Sequence, residues 1–473
     1  MSSAWDRPAI VIDVGSNCTK LGFAGNDKPT FSLPTVVSRS KDSRQRPEWD
    51  VQELIGEQAL ATSSLHGLAY PVRNGIVQSW DVLERFLQHS LFQYLRVEPE
   101  DHVVLLTEPA CSTSDSREML AEIMFETFGV AGLHIGTQPV LALYASLIAT
   151  HRTALDLAAQ TSTAQQTASN AGTLQAPGAK ATAGPGASSV PSASVCMSPQ
   201  QCTGLVVDVG EYSTSVVPVV DGFVVGSGVK RLALGGRDLT QLVQQALRDR
   251  GSAVHPDMSW EVARQIKEAH CYVCPSTMTE AAKWAAQPAK YARSHRFLDP
   301  RVGPKEVVLE LGTERYLAPE LFFTPAGHPL ASSQASQDGQ SAAGREGEGA
   351  LPSRVPSTRL PLHTLVDQVV QSCPIDTRRA LYASVVMSGG TAAIRNFGKR
   401  MQVELAAAAN SRLSKTAKPI EVGVMSTACA GHAAWLGGSL LAGGAAPAEE
   451  WQAAVVSRQQ YQEQGAAVYR RGF

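Results

Sequence analysis

The sequence predicts an α/β protein of two lobes, each built on a mixed β-sheet core with helices around it. Three observations carry this. Short apolar runs stop at glycine-containing turns, as buried, largely parallel strands do. Between them lie stretches with apolar residues at three- and four-residue steps, the mark of helices with one buried face. One strand-turn phrase occurs twice: Ile10-Val-Ile-Asp-Val-Gly-Ser16 and Leu205-Val-Val-Asp-Val-Gly-Glu211.

The strands follow in order. Ala9-Ile-Val-Ile12 ends at Asp13-Val-Gly15, and Thr19-Lys-Leu-Gly-Phe23 follows it. Val103-Val-Leu-Leu106 ends at Thr107-Glu-Pro109. Leu205-Val-Val207 ends at Asp208-Val-Gly210, with Thr214–Val220 after it. Ala383–Met387 ends at Ser388-Gly-Gly390. Helical spacing marks Leu83 to Leu95, Glu118 to Phe128 and Leu239 to Leu247. The repeated phrase predicts a duplicated core with a ligand clasped between the copies.

At 473 residues the chain is long enough for two domains, or one split domain with insertions. Two stretches are predicted to be disordered insertions, 153–202 and 325–358. Both hold too few large apolar residues to offset the entropy of ordering. A hydrophobic share of 44% is globular. With 41 Lys+Arg against 43 Asp+Glu there is no electrostatic footprint for nucleic acid. Residues 1–8 lack the pattern of a signal peptide, and no apolar run approaches the roughly 18 residues of a membrane helix, so no transmembrane segment is expected. The eight cysteines are scattered and read as reduced thiols. Cys271 and Cys274 form a lone C-x-x-C, read as two buried thiols at a helix end.

The hairpins carry the chemistry. A tight turn after a buried strand aims backbone N–H groups at one point. Gly15, Ser16 and the next amides suit phosphate oxygens, with Lys20 adding charge. Asp13 and Asp208, at two strand ends, suit a hydrated Mg²⁺ held from opposite sides. Ser388-Gly-Gly-Thr391 is a third glycine turn, suited to close approach by a flat ligand.

These motifs occur in an order that resembles the actin superfamily. Asp13 to Pro29 is similar to its first phosphate hairpin, and Gln138-Pro-Val-Leu-Ala-Leu-Tyr-Ala-Ser146 to its hinge helix. Gly235-Gly-Arg-Asp-Leu-Thr240, Ile266-Lys-Glu-Ala-His-Cys-Tyr-Val273, Met387-Ser-Gly-Gly-Thr391 and Trp435-Leu-Gly-Gly-Ser-Leu-Leu-Ala442 follow in family order. Leu95-Arg-Val-Glu-Pro-Glu-Asp-His102, Tyr272-Val-Cys-Pro275 and Ser372-Cys-Pro-Ile-Asp-Thr-Arg-Arg379 resemble the class-three actin-related proteins rather than actin itself.

The resemblance implies an actin-like ATPase fold of four subdomains. The first spans 1–36, 71–149 and 427–473, the second 37–70. The third spans 204–234 and 305–426, the fourth 235–304. It implies ATP with Mg²⁺ in the cleft, as cofactors. Asp13, Gly15, Ser16, Lys20, Asp208, Gly210, Gly236, Lys267, Glu268, Gly389, Gly390 and Thr391 would bind the nucleotide. Asp13 and Asp208 would hold the metal through water, and Gln138 would orient the attacking water. The implied partners are actin, actin-related protein 2 and the other subunits of the actin-nucleating 2/3 complex, and nucleation-promoting activators. The implied setting is the cytoplasmic cytoskeleton, with a nuclear pool allowed for. A chromatin-remodeller subunit is the alternative. A small-molecule kinase of the same ATPase superfamily lacks a candidate acid/base.

The sequence departs from the family pattern at four places. Asn17 and Tyr212 each replace a hairpin glycine, Ser215 replaces a histidine near the hydrolytic water, and Ala393 replaces a methionine beside the base. The expectation is retained nucleotide binding and hydrolysis slower than actin's, at most a slow ATPase.

Overall fold

The computed structural model describes residues 7–40, 53–61, 66–153, 197–252, 254–298, 306–326, 360–413 and 418–470. The first lobe holds β1 (Ile10–Val14), β2 (Cys18–Phe23), β3 (Phe31–Pro34), β4 (Val103–Glu108) and β5 (Gly132–Thr137). The second holds β6 (Gly204–Val209), β7 (Thr214–Val220), β8 (Phe223–Val224), β9 (Lys230–Leu232), β10 (Val385–Ser388) and β11 (Val424–Ser426). A final strand, β12 (Val456–Ser457), returns to the first sheet.

The strand orders are β12-β5-β4-β1-β2-β3 and β8-β7-β6-β10-β11, with β9 also pairing β7, next to β8 on the edge away from β6. In each sheet an antiparallel hairpin lies beside two parallel strands. The repeated phrase is therefore a repeated piece of architecture. β1 and β6 are buried almost throughout, which is why both read as unbroken apolar runs. β5 and β11 escaped the sequence reading for a physical reason. Gly132-Leu-His-Ile-Gly-Thr137 interrupts its apolar residues with glycine and histidine, and Val424-Met-Ser426 is too short to show a period.

Two smaller pieces complete the fold. Strands Val37–Ser40, Leu54–Ile55 and His66–Ala69 form a small antiparallel sheet beside the first lobe. The hairpin Arg293–Leu298 with Glu306–Leu311 accompanies helices Pro256–His270 and Thr277–Ala286 beside the second. Cys271 ends the first of these helices, and the buried thiols of Cys271 and Cys274 are pushed by burial up to about 12 and about 11.

Between the lobes lies a shared core. Val11 and Leu105 of the first sheet, Val206, Val217 and Val386 of the second, Leu141 and Tyr144 of helix 138–153, and Trp435 form one buried cluster. Each large apolar side chain sealed here contributes about 1.5–3 kcal/mol. The Trp435 indole donates to the Val11 carbonyl at 3.0 Å. Gly437 lets helix Ala433–Leu440 touch helix 138–153, since a Cβ there would sit 2.0 Å from the Leu141 carbonyl oxygen.

The insertion expected over 153–202 ends earlier than predicted. The Met197 amide donates to Ala445 at 3.1 Å, and the Gly222 amide bonds the carbonyl of buried Cys202 at 2.8 Å. Met197 to Cys202 is anchored by Met197 and Cys202, whose side chains join the shared core, so the low-complexity composition stops being a guide there. Residues 154–196 and 327–358 of the two expected insertions lie outside the described residues. Among the described residues no helix is long and apolar enough to cross a membrane.

Candidate nucleotide cleft

A cleft of about 780 Å³ opens between the lobes, and both hairpins reach it. Asp13, Gly15, Ser16 and Lys20 line one side, Asp208 and Gly210 the other, with Gly389, Gly390 and Thr391 at its end. The register explains the placement. Asp13 pairs with Lys20 across the first hairpin, and Asp208 with Ser215 across the second. Each carboxylate therefore sits at the penultimate position of its strand, Asp13 buried and Asp208 partly buried.

Asp13 is 4% exposed and held from three directions. Its Oδ1 accepts from the Thr107 hydroxyl at 2.6 Å and from Gln138 Nε2 at 3.0 Å. Its Oδ2 lies 3.4 Å from Lys20 Nζ. Burial works against the Lys20 ammonium, but Asp13, Cys18 and Asp208 outweigh it and raise its pKa. Asp208 is placed differently. Burial pushes its carboxyl up, and a hydrogen bond with Ser388 and the charge of Lys20 offset only part of that. Lys20 feels both carboxylates, so the two strand ends share one crevice.

Thr107 is the residue that sequence reasoning missed. It ends an ordinary buried strand, and only the parallel register of β1 with β4, Ile12 opposite Leu106, brings it to Asp13. The available signal was its place: the strand stops at the same edge as the Asp-x-Gly turns.

Several expected site residues line the cleft and also bond to its walls. Gln138 Nε2 also contacts Val14 O at 3.4 Å and Thr107 Oγ1 at 3.1 Å, so in this geometry Gln138 orients Asp13. The Ser16 hydroxyl accepts from the Gly75 amide at 2.8 Å. The Thr391 hydroxyl donates to Gly210 O at 3.0 Å, tying the third turn to the second hairpin. Lys267 reaches the cleft wall, but its ammonium turns to Glu211 Oε2 at 3.1 Å and Gly236 O at 3.2 Å. Glu268 is half-exposed and paired with Arg264 at 3.2 Å. Gly236 opens helix Gly236–Asp249 behind the hairpin, its amide on Gly210 O at 2.9 Å, rather than lining the cleft.

An actin family profile matches residues 5–473. The chain belongs to the actin family. Among its relatives are actin-related protein 3 of Oryza sativa subsp. indica, 36% identical over 99% of this chain and 97% of the relative, and of Drosophila melanogaster, 36% identical over 92% and 91%. Actin-related protein 3 of Dictyostelium discoideum is 34% identical over 99% and 98%.

Against the actin pattern, the departures are absorbed locally. Asn17 keeps a negative φ, so the left-handed backbone that asparagine tolerates is not called on; its carbonyl accepts the Thr35 amide at 3.0 Å. In the second hairpin the Gly210 amide is taken by Ser213 O at 3.0 Å. The Tyr212 ring lies against Arg237, 5.4 Å from its guanidinium carbon. Ser215 pairs in register with both Asp208 and Arg231. Ala393 leaves a small side chain on the cleft wall.

Proposed function

We propose that the protein is an ATP-binding, actin-related subunit of an actin-nucleating complex of the 2/3 type, templating new branched filaments. The observation that carries this is the pairing of near full-length likeness to actin-related protein 3 with two matched hairpins on one cleft. The division into four subdomains, the partners actin and actin-related protein 2, nucleation-promoting activators, and a cytoplasmic, cytoskeletal setting belong to the same proposal.

The residues fit a nucleotide with a divalent cation. Asp208 is a desolvated carboxylate with incomplete counter-charge, the kind of group a hydrated Mg²⁺ relieves. Lys20 supplies a partly buried positive charge beside the first turn. A side chain at Gly389 would strike Val209 O at 2.3 Å, so backbone alone lines that end. Asp13 and Asp208 would hold the metal through water. Gly15, Ser16 and Lys20 would take phosphate oxygens, and Gly389, Gly390 and Thr391 would border the base. Mg²⁺, when bound, neutralises phosphate charge. Thr107 and Gln138 keep Asp13 aimed. With Ser215 where a histidine would order a proton path, hydrolysis runs slower than in actin. Single-turnover phosphate release as fast as actin's, under matched conditions, contradicts that part.

An affinity pull-down of the full chain followed by a branching assay tests the role. Recovery of actin-related protein 2 with small complex subunits, and branches that depend on them, is expected. Recovery of chromatin-remodeller subunits instead overturns it.

A further inference from the structure

The cleft runs on past the third glycine turn, where Tyr272, Arg315 and Arg395 line it. Both guanidiniums lie against the Tyr272 ring, Arg315 at 5.2 Å and Arg395 at 5.4 Å from its centre. The backbone fixes this meeting. The Tyr272 amide donates to Arg315 O at 3.0 Å, and the Val273 amide to Arg395 O at 2.9 Å. Arg315 is anchored further, with Nε on His270 O at 3.2 Å and Nη1 on Tyr291 O at 2.9 Å. Two more cations gather at Tyr291. Lys290 Nζ lies 5.8 Å from its ring, and Arg293 Nη1 donates to Ala292 O at 3.0 Å and Lys290 O at 3.4 Å.

Among the described residues, none of these four cations pairs with a carboxylate, whereas Arg250, Arg264, Lys283 and Arg400 each do. The acids nearby are already taken. Glu314 pairs with Arg250 at 3.1 Å, and Glu280 accepts from Lys283 at 3.0 Å and from the Tyr272 hydroxyl at 2.8 Å. The sequence carries the same bias: residues 281–298 hold four Lys and Arg and no Asp or Glu, in a chain of net charge −2.

A guanidinium lying on a ring keeps its N–H edge for an anion, and that fork matches phosphate or carboxylate oxygens. Arg395 is exposed, and its side-chain nitrogens donate to no described residue. Several positive charges without a carboxylate suit a compact anion that carries several negative charges. A short phosphate chain does so within a few bonds. A peptide would have to bring its backbone groups into the end of a cleft along with its carboxylates, and leave them to find partners there.

We propose that Arg315 and Arg395, with Lys290 and Arg293 beside them, form a second anion site at the far end of the cleft, one that takes a soluble oligophosphate. The site is separate from the two hairpins and does not rest on the nucleotide-binding reading.

The test is equilibrium dialysis of radiolabelled inorganic triphosphate, with EDTA present, against the full chain and the variants Arg395→Gln, Lys290→Gln, Lys283→Gln and Lys20→Gln. Saturable uptake is expected. Arg395→Gln and Lys290→Gln should each weaken it about three- to tenfold, the scale of one partly exposed charge contact. Lys283→Gln, whose lysine is already paired with Glu280, should bind like wild type, and Lys20→Gln should keep the uptake that depends on Arg395. A wild-type chain without saturable uptake, or an Arg395→Gln chain that binds like wild type, overturns the site. Uptake lost in Lys20→Gln alone places the anion on the first hairpin, which overturns the site and leaves the proposed function standing. Uptake that depends on Arg395 in a chain that binds no Mg·ATP upholds the site and defeats the proposed function. A hexaglutamate peptide that displaces triphosphate at lower concentration than triphosphate itself overturns the assignment to phosphate.

Discussion

Replacing Thr107 with valine removes one hydroxyl and almost no volume, and it isolates how Asp13 is held. Thr107 is 3% exposed and Asp13 4%, so neither group falls back on water when the bond is lost. The bond is short, 2.6 Å to Oδ1, as hydroxyl-to-carboxylate bonds are. A hydrogen bond to a buried charge nets about 1.5–3 kcal/mol. Gln138 Nε2 remains at 3.0 Å on the same oxygen and Lys20 at 3.4 Å on the other, so the carboxylate is weakened but not orphaned. The expected loss is therefore about 2 kcal/mol, read from urea unfolding at unchanged slope. Thr107→Ser, which keeps the hydroxyl, should recover most of it. Mg·ATP affinity should fall in Thr107→Val alone, because a less restrained Asp13 holds the metal's waters less well. Refutation takes either of two forms: valine unfolding with the wild-type midpoint, or serine as damaging as valine.

Two further outcomes follow from the geometry. Gly389 has φ of +91°, and a Cβ would lie 2.3 Å from Val209 O and 2.9 Å from Asp208 Oδ1, so Gly389→Ala should cost about 2–5 kcal/mol and weaken nucleotide uptake together; equal urea midpoints would count against the packing described. Burial holds His134, His270, His295, His363 and His432 below the ordinary value of 6.5, with His295 and arginines 293 and 315 adding to the effect at His270. The unfolded chain then takes these protons first, so their stability contribution is full above about pH 6.5 and declines as pH falls below it. Melting temperature should drop from pH 7.5 to 5.5, and His134→Gln should flatten that drop; a flat wild-type profile would contradict it.

The sequence made the duplicated hairpins legible because both are buried strands ending in an Asp-x-Gly turn, a local pattern. Asp13, Lys20 and Asp208 were legible for the same reason. Thr107 was not, since its role comes from a parallel neighbour distant in sequence. Gly236 and Lys267 sit in recognisable motifs, yet a motif does not say which way a side chain points: Gly236 packs behind the hairpin, and Lys267 turns to Glu211. Tyr212 was visible as a departure, but its packing needed Arg237, itself held over Trp260, which only the folded chain assembles. The insertion boundary was misplaced because composition averages over a window, while Met197 and Cys202 are single buried anchors.

Equilibrium dialysis of ATP with and without Mg²⁺, on the wild-type chain, Asp13→Asn and Asp208→Asn, addresses the shared cleft most directly. One saturable, Mg²⁺-dependent site is expected, weakened about tenfold or more by either asparagine, since one lost charge interaction of about 1.4 kcal/mol already gives that factor. Wild-type protein that binds no ATP, or two asparagine variants that bind like wild type, would contradict a nucleotide held from both lobes.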